Sequence, residues 1–126
     1  MDWMIYGANG YTGELIAREA KRQGMTPILA GRSRAKIAAL ASELNLASKA
    51  FRLEGPSETV QALRGVRLVL NCAGPFSKTA DPLLRACIAA KAHYLDITGE
   101  IATPMLKRQA WSYARAPAST WCRPTA

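Results

Sequence analysis

Gly7-Ala8-Asn9-Gly10-Tyr11-Thr12-Gly13 places three glycines at a G-x-x-G-x-x-G spacing, four residues into an apolar start. Glycines at that spacing let a backbone loop approach a pyrophosphate closely. The helix-like run that follows, Glu14 to Gln23, would turn its unpaired N–H groups and positive dipole end toward the phosphates. Asn9 to Gly13 would then donate backbone N–H groups, and Thr12 its hydroxyl. A plain strand–helix turn is the alternative reading, and the flanking strand and helix weigh against it.

About twenty residues beyond such a loop, a nucleotide site that reads an unphosphorylated ribose carries Asp or Glu. Here the sequence is Gly31-Arg32-Ser33-Arg34 with Lys36 following, and no acid until Glu43. An Arg32 fork can pair with a ribose 2′-phosphate while Ser33 donates a hydroxyl and an N–H. This favours NADP over NAD, with Arg34 and Lys36 as helpers.

Three further groups invite a chemical reading. Asn71-Cys72-Ala73-Gly74-Pro75-Phe76 follows an apolar run, and small residues there would let a ribose pass. Cys72 reads as a packed thiol, since nothing in the spacing sets a base beside it. Thr98-Gly99-Glu100 ends the next strand; Glu100 is a candidate substrate or acid/base residue, or a cap for the following helix. His93 precedes that strand, at the edge away from the cofactor, and reads as structural. The residues four after Tyr6, Tyr11, Tyr94 and Tyr113 are Gly10, Leu15, Thr98 and Pro117, so a Tyr-x-x-x-Lys dehydrogenase site is excluded.

The elements that must position these groups alternate between strand and helix signals. Strands are expected at Trp3–Tyr6, Pro27–Ala30, Lys49–Leu53, Val66–Cys72 and Tyr94–Ile97. Helices are expected at Gly13–Gln23, with Leu15, Ile16 and Ala20 inward and Gly24 closing it, and at Arg34–Leu44, capped by Ser33. A short helix capped by Ser57 ends at Gly65, and another runs from Asp81-Pro82 to about Ala92. The expected architecture is α/β: a Rossmann-type doubly wound parallel sheet of about five strands, incomplete, with an irregular C-terminal tail.

One domain is the ceiling for 126 residues. The net charge of +8 divides evenly: residues 1 to 101 hold all nine acids and thirteen Lys/Arg, and the last 25 add four bases and no acid. No basic stripe interleaved with aromatics appears in the first hundred residues, which argues against nucleic acid. No apolar window reaches membrane-spanning length, and the start leaves no room for a signal peptide. Cys72, Cys87 and Cys122 are odd in number and lack metal spacing, so no metal site is expected and reduced thiols suggest the cytoplasm. A homo-oligomer is left open.

Beyond Ile101 the pattern stops. The tail from 102 to 126 has two of the three tryptophans, three prolines and no acid. Back-translated with chosen GC-rich codons, Ala110 to Ala126 can be encoded by nucleotides that, read one nucleotide earlier, give GVVLCPGAGFDVVPTDC, preceded by something like DADAEAA. That alternative gives an acidic helix, a β-like run and a glycine-rich turn, as an α/β domain requires next. Residues 1–101 are therefore expected to form the nucleotide-binding domain, and 102–126 an aberrant tail, disordered or out of frame.

Together Gly7 to Gly13, Ala30-Gly31-Arg32-Ser33, Asn71 to Phe76 and Tyr94-Leu95-Asp96-Ile97-Thr98-Gly99-Glu100 resemble the saccharopine dehydrogenase-like oxidoreductases, in the branch that includes trans-acting enoyl reductases. The resemblance covers residues 1 to about 101, and the shifted reading of the tail is similar to the family's next segment. It implies an NAD(P)-dependent oxidoreductase that transfers hydride to or from a small organic substrate. It also implies a substrate domain that this chain lacks, so the chain alone would turn over nothing. A non-enzymatic NADP-sensing regulator is the rival reading.

Overall fold

The computed structural model describes residues 2–97; Thr98-Gly99-Glu100 and the tail lie outside them, and so do the expectations made for them. Five parallel strands alternate with four helices. In chain order they are β1 (Trp3–Tyr6), α1 (Tyr11–Arg22), β2 (Ile28–Gly31), α2 (Arg34–Leu44), β3 (Ser48–Ala50), α3 (Pro56–Ala62), β4 (Leu68–Asn71), α4 (Phe76–Ala90) and β5 (His93–Asp96). The sheet order is β3-β2-β1-β4-β5. The chain thus works outward from β1 in one direction, then returns to its other side. That reversal places a crevice between the carboxyl ends of β1 and β4, the position where open α/β sheets take ligands.

Both sheet faces are covered, which is why the strands are apolar at successive positions. Met4, Tyr6, Val69 and Tyr94 pack with Ala80, Leu83, Leu84 and Cys87 of α4. Ile5 and Leu29 point the other way, against Ala17 of α1 and Ile37, Leu40 and Ala41 of α2. The period-2 alternation of the strands therefore divides α1 and α2 from α3 and α4.

Four expectations need correction. Leu15 is 52% exposed, because α1 turns Gly13, Ala17 and Ala20 to the sheet; a residue two positions from that stripe points nearly opposite. The cap of α3 is Gly55 with Pro56 at the first turn, so Ser57 lies inside the helix. Helix α4 begins at Phe76 after Pro75, not at Asp81, and contains Pro82. Its early start is held by Thr79, whose hydroxyl donates to the Ala73 carbonyl at 2.7 Å. Asp81 instead accepts from Arg85 Nε at 2.8 Å. Strand boundaries shift by a residue or two, and β3 is only three residues long.

Candidate functional site: a cationic crevice at the carboxyl edge

Strand register brings the chemistry to one edge. Tyr6 pairs with Ala30 and with Asn71, and Asn71 with Asp96, so the residues following each strand emerge together. Gly7 leaves β1 at φ +83°, a left-handed conformation that glycine adopts without strain. Its N–H and that of Ala8 both donate to the Ala30 carbonyl, at 2.8 and 3.2 Å, and the Gly10 N–H returns to Gly7 O at 3.1 Å. Gly10 is the N-cap of α1 and brings no capping side chain. The amides of Tyr11, Thr12 and Gly13 have no carbonyl one turn back, leaving that helix end ready for an anion.

Two of the glycines are required by close packing. A Cβ on Gly13 would stand 2.2 Å from Gly7 O, and one on Gly7 would stand 2.7 Å from the Ala73 nitrogen. Helix, loop and the Ala73 turn are therefore pressed backbone to backbone. Around the mouth of this contact lies a cavity of about 550 Å³. Gly7, Asn9, Gly10, Arg32, Ser33, Ala73, Gly74 and Pro75 all line it. Tyr11, Thr12 and Gly13 form the first turn of α1 and are not among the lining residues. Of the two expected helpers, Lys36 lines the cavity. Arg34 faces a separate hollow of about 470 Å³ beside β3.

Sequence reasoning missed Leu53, Glu54, Lys78 and Thr79 in the wall. Leu53 and Glu54 follow β3, so the parallel order alone could have placed them there. Lys78 and Thr79 were hidden by the misplaced start of α4. The wall thus has three cations, Arg32, Lys36 and Lys78, against one carboxylate, Glu54. Among the described residues none of those cations makes a salt bridge. The acid nearest the helix end, Glu14, is drawn away by Arg18 at 3.0 Å, which also holds Glu43 at 2.9 Å.

Burial raises the pKa of Tyr6; nearby Arg32 opposes that shift and Glu54 adds to it. Tyr6 therefore stays a neutral phenol, donating to Phe51 O at 3.3 Å. Burial also pushes the Cys72 thiol up to about 11, so at neutral pH it is a protonated, half-buried wall residue and a poor nucleophile. His93 sits exposed at the start of β5, with its N–H on Arg67 O at 2.8 Å, at the edge opposite the cavity. A glycine loop at a helix N-terminus, a cationic wall and small residues opposite are features that suit a dinucleotide with an additional phosphate.

Known proteins agree with that fit. The family described as the saccharopine dehydrogenase NADP binding domain matches residues 3–120. A trans-acting enoyl reductase of Mycobacterium bovis is 34% identical over 107 residues, covering 79% of this chain and 26% of the relative. The human saccharopine dehydrogenase-like oxidoreductase is 28% identical over 116 residues, covering 77% of this chain and 27% of its own length. The chain spans only 25–30% of the length of the curated relatives it matches. Among solved structures, apo saccharopine dehydrogenase (L-Glu forming) of Saccharomyces cerevisiae superposes with a TM-score of 0.72 at 15% identity, over 87% of this chain and 25% of that one. Triphenylmethane reductase of Citrobacter sp., complexed with NADP(H), gives 0.66 at 18% identity, over 89% and 44%. The structural likenesses establish a Rossmann-type α/β fold. The family match goes further: this chain belongs to the saccharopine dehydrogenase NADP binding domain family, and its cofactor is NADP(H).

Proposed function

We propose that this chain is the cofactor-holding portion of an oxidoreductase that transfers hydride between NADP(H) and a small organic substrate. The observation that carries the proposal is the single cavity lined by the glycine loop, by Arg32 and Ser33, and by the Ala73–Pro75 turn. Bound there, the nicotinamide would supply the hydride chemistry. The chain's own part is to bind and orient. The Asn9–Gly13 backbone holds the pyrophosphate, with the Thr12 hydroxyl beside it. Arg32 and Ser33 take the 2′-phosphate with Lys36 as a second cation, and Lys78 adds positive charge at the α4 side.

Substrate recognition belongs to the remaining length that the relatives have, and the described residues supply the cofactor side of the reaction. Glu100 stays a candidate for contact with substrate. Among the described residues no helix is long and apolar enough to cross a membrane. We place the protein in the cytoplasm on its thiol usage, although a relative from Arabidopsis thaliana is named as mitochondrial.

Two experiments test this reading. Addition of NADPH to the ¹⁵N-labelled chain should move the amide signals of Gly7, Gly10, Arg32, Ser33 and Gly74 together, with one nucleotide bound per chain. Shifts confined to the hollow beside β3 would contradict the site. Sequencing the coding DNA around codon 101 should reveal a displaced frame, and restoring it should yield GVVLCPGAGFDVVPTDC and a product with hydride-transfer activity. An intact gene that naturally encodes Ala102 to Ala126 would remove the frame proposal and leave the cofactor site standing.

A further inference from the structure

Asn71 is fully buried at the end of β4, and every polar atom of its side chain is engaged. Its Oδ1 accepts from the Ala73 N–H at 3.0 Å. Its Nδ2 donates to Thr79 Oγ1 at 3.2 Å and to the Tyr94 hydroxyl at 3.1 Å. Each of those hydroxyls passes its own proton onward: Thr79 to the Ala73 carbonyl at 2.7 Å, Tyr94 to Asp96 Oδ2 at 2.8 Å. The peptide groups on both sides of Ala73 are thus gripped by side chains from β4 and α4, and the grip is anchored on β5. Chains of buried hydrogen bonds of this kind reinforce one another and tolerate little displacement.

What the grip holds is one lip of the cofactor crevice. The Ala73 nitrogen and Cα lie so near Gly7 that a Cβ there would meet them at 2.7 and 2.8 Å. A small displacement of the turn would close the crevice against the glycine loop or open it. The Ala73 amide is spent on Asn71, so toward the cofactor this residue offers shape. Thr79 and the turn line the cavity, whereas Asn71 and Tyr94 do not.

We propose that Asn71, Thr79 and Tyr94 form a positioning clamp that fixes the Ala73–Pro75 turn and so sets NADP(H) affinity, the Tyr94 hydroxyl acting from outside the cavity. The inference rests on the reading of the cavity as the cofactor site. Both distal ends of the network, the Thr79 and Tyr94 hydroxyls, can be removed almost isosterically.

The test uses the full chain with Tyr94→Phe, Thr79→Val and Thr79→Ser, measuring NADPH and NADH dissociation constants by calorimetry and Ala73 amide exchange by NMR. Tyr94→Phe and Thr79→Val should each weaken NADPH about fivefold, the loss expected for one net hydrogen bond. Both should speed Ala73 exchange and leave the NADPH-to-NADH preference unchanged. Thr79→Ser, which keeps the hydroxyl, should recover most of the affinity that Thr79→Val loses. A purely structural role would lower the melting temperature without changing affinity in the folded fraction, and that result overturns the clamp. So does faster Ala73 exchange with unchanged NADPH affinity. An unaltered chain that binds neither nucleotide overturns the cavity reading, and with it the clamp's effect on affinity. An unaltered chain that binds normally while both variants match it overturns the clamp alone.

Discussion

Gly13→Ala should destabilise the chain by about 3 kcal/mol and lower its melting temperature by more than about 10 °C. Helix propensity makes the opposite forecast, since alanine is favoured over glycine inside a helix by up to about 1 kcal/mol. Packing decides the sign. The added methyl would stand 2.2 Å from Gly7 O and 2.9 Å from Ala8 Cα, both backbone atoms that cannot swing aside. Relief requires α1 to lift from the sheet, which uncovers Ala17 and Ala20 and displaces the amides of its first turn. Gly10→Ala is the matched control. Its methyl would meet only Gly7 O, at 3.4 Å, and its backbone is already extended at φ −76°. That variant should melt within a few degrees of the parent, the small loss reflecting alanine's poorer N-cap preference, yet bind NADPH less well, because Gly10 lines the cavity. Thermal denaturation of the two side by side gives the answer; a Gly13→Ala chain as stable as its parent would mean that the loop is looser than described.

Arg32→Ala should weaken NADPH binding about 10- to 100-fold and leave NADH nearly untouched. The range follows from about 1.5–3 kcal/mol for hydrogen bonds to a charged partner. Arg32 lies at the carboxyl end of β2, where Gly31 pairs with Ala50 and leads directly into the cavity wall. No salt bridge among the described residues competes for its guanidinium. Glu54 shares that wall and would repel a phosphate, so Glu54→Gln should strengthen NADPH binding modestly. Arg32→Lys should recover only part of the lost affinity, because an ammonium supplies charge without the planar fork. An equal loss for both nucleotides would assign Arg32 to the pyrophosphate.

Much of this site is local in sequence, and that part was legible. The glycine loop, the Arg32-Ser33 pair and the Ala73-Gly74-Pro75 turn each follow directly on a strand, and a parallel sheet gathers such segments at one edge. β1 and α2 have the boundaries expected from their apolar spacing and from the Ser33 cap, whose Oγ accepts from the Lys36 N–H at 3.5 Å. Illegible were the features decided by contact between distant segments. Leu15 was expected inward with Ile16 and Ala20, but the close approach of Gly13 to the loop sets the rotation of α1. Asp81-Pro82 has the chemistry of a helix start, yet Thr79 and Pro75 begin α4 earlier and bring Lys78 to the cavity. The Asn71 network links residues 8 and 23 positions apart through side-chain atoms, for which no spacing rule exists.

The central claim is that this crevice is an NADP(H) site whose preference is set by the Arg32 wall. Calorimetric titration of the unaltered chain with NADPH and then NADH, at one ionic strength, tests it most directly. The account predicts a single site per chain with NADPH bound more than about tenfold tighter than NADH. Equal affinity for the two nucleotides, or tighter binding of NADH, would contradict it.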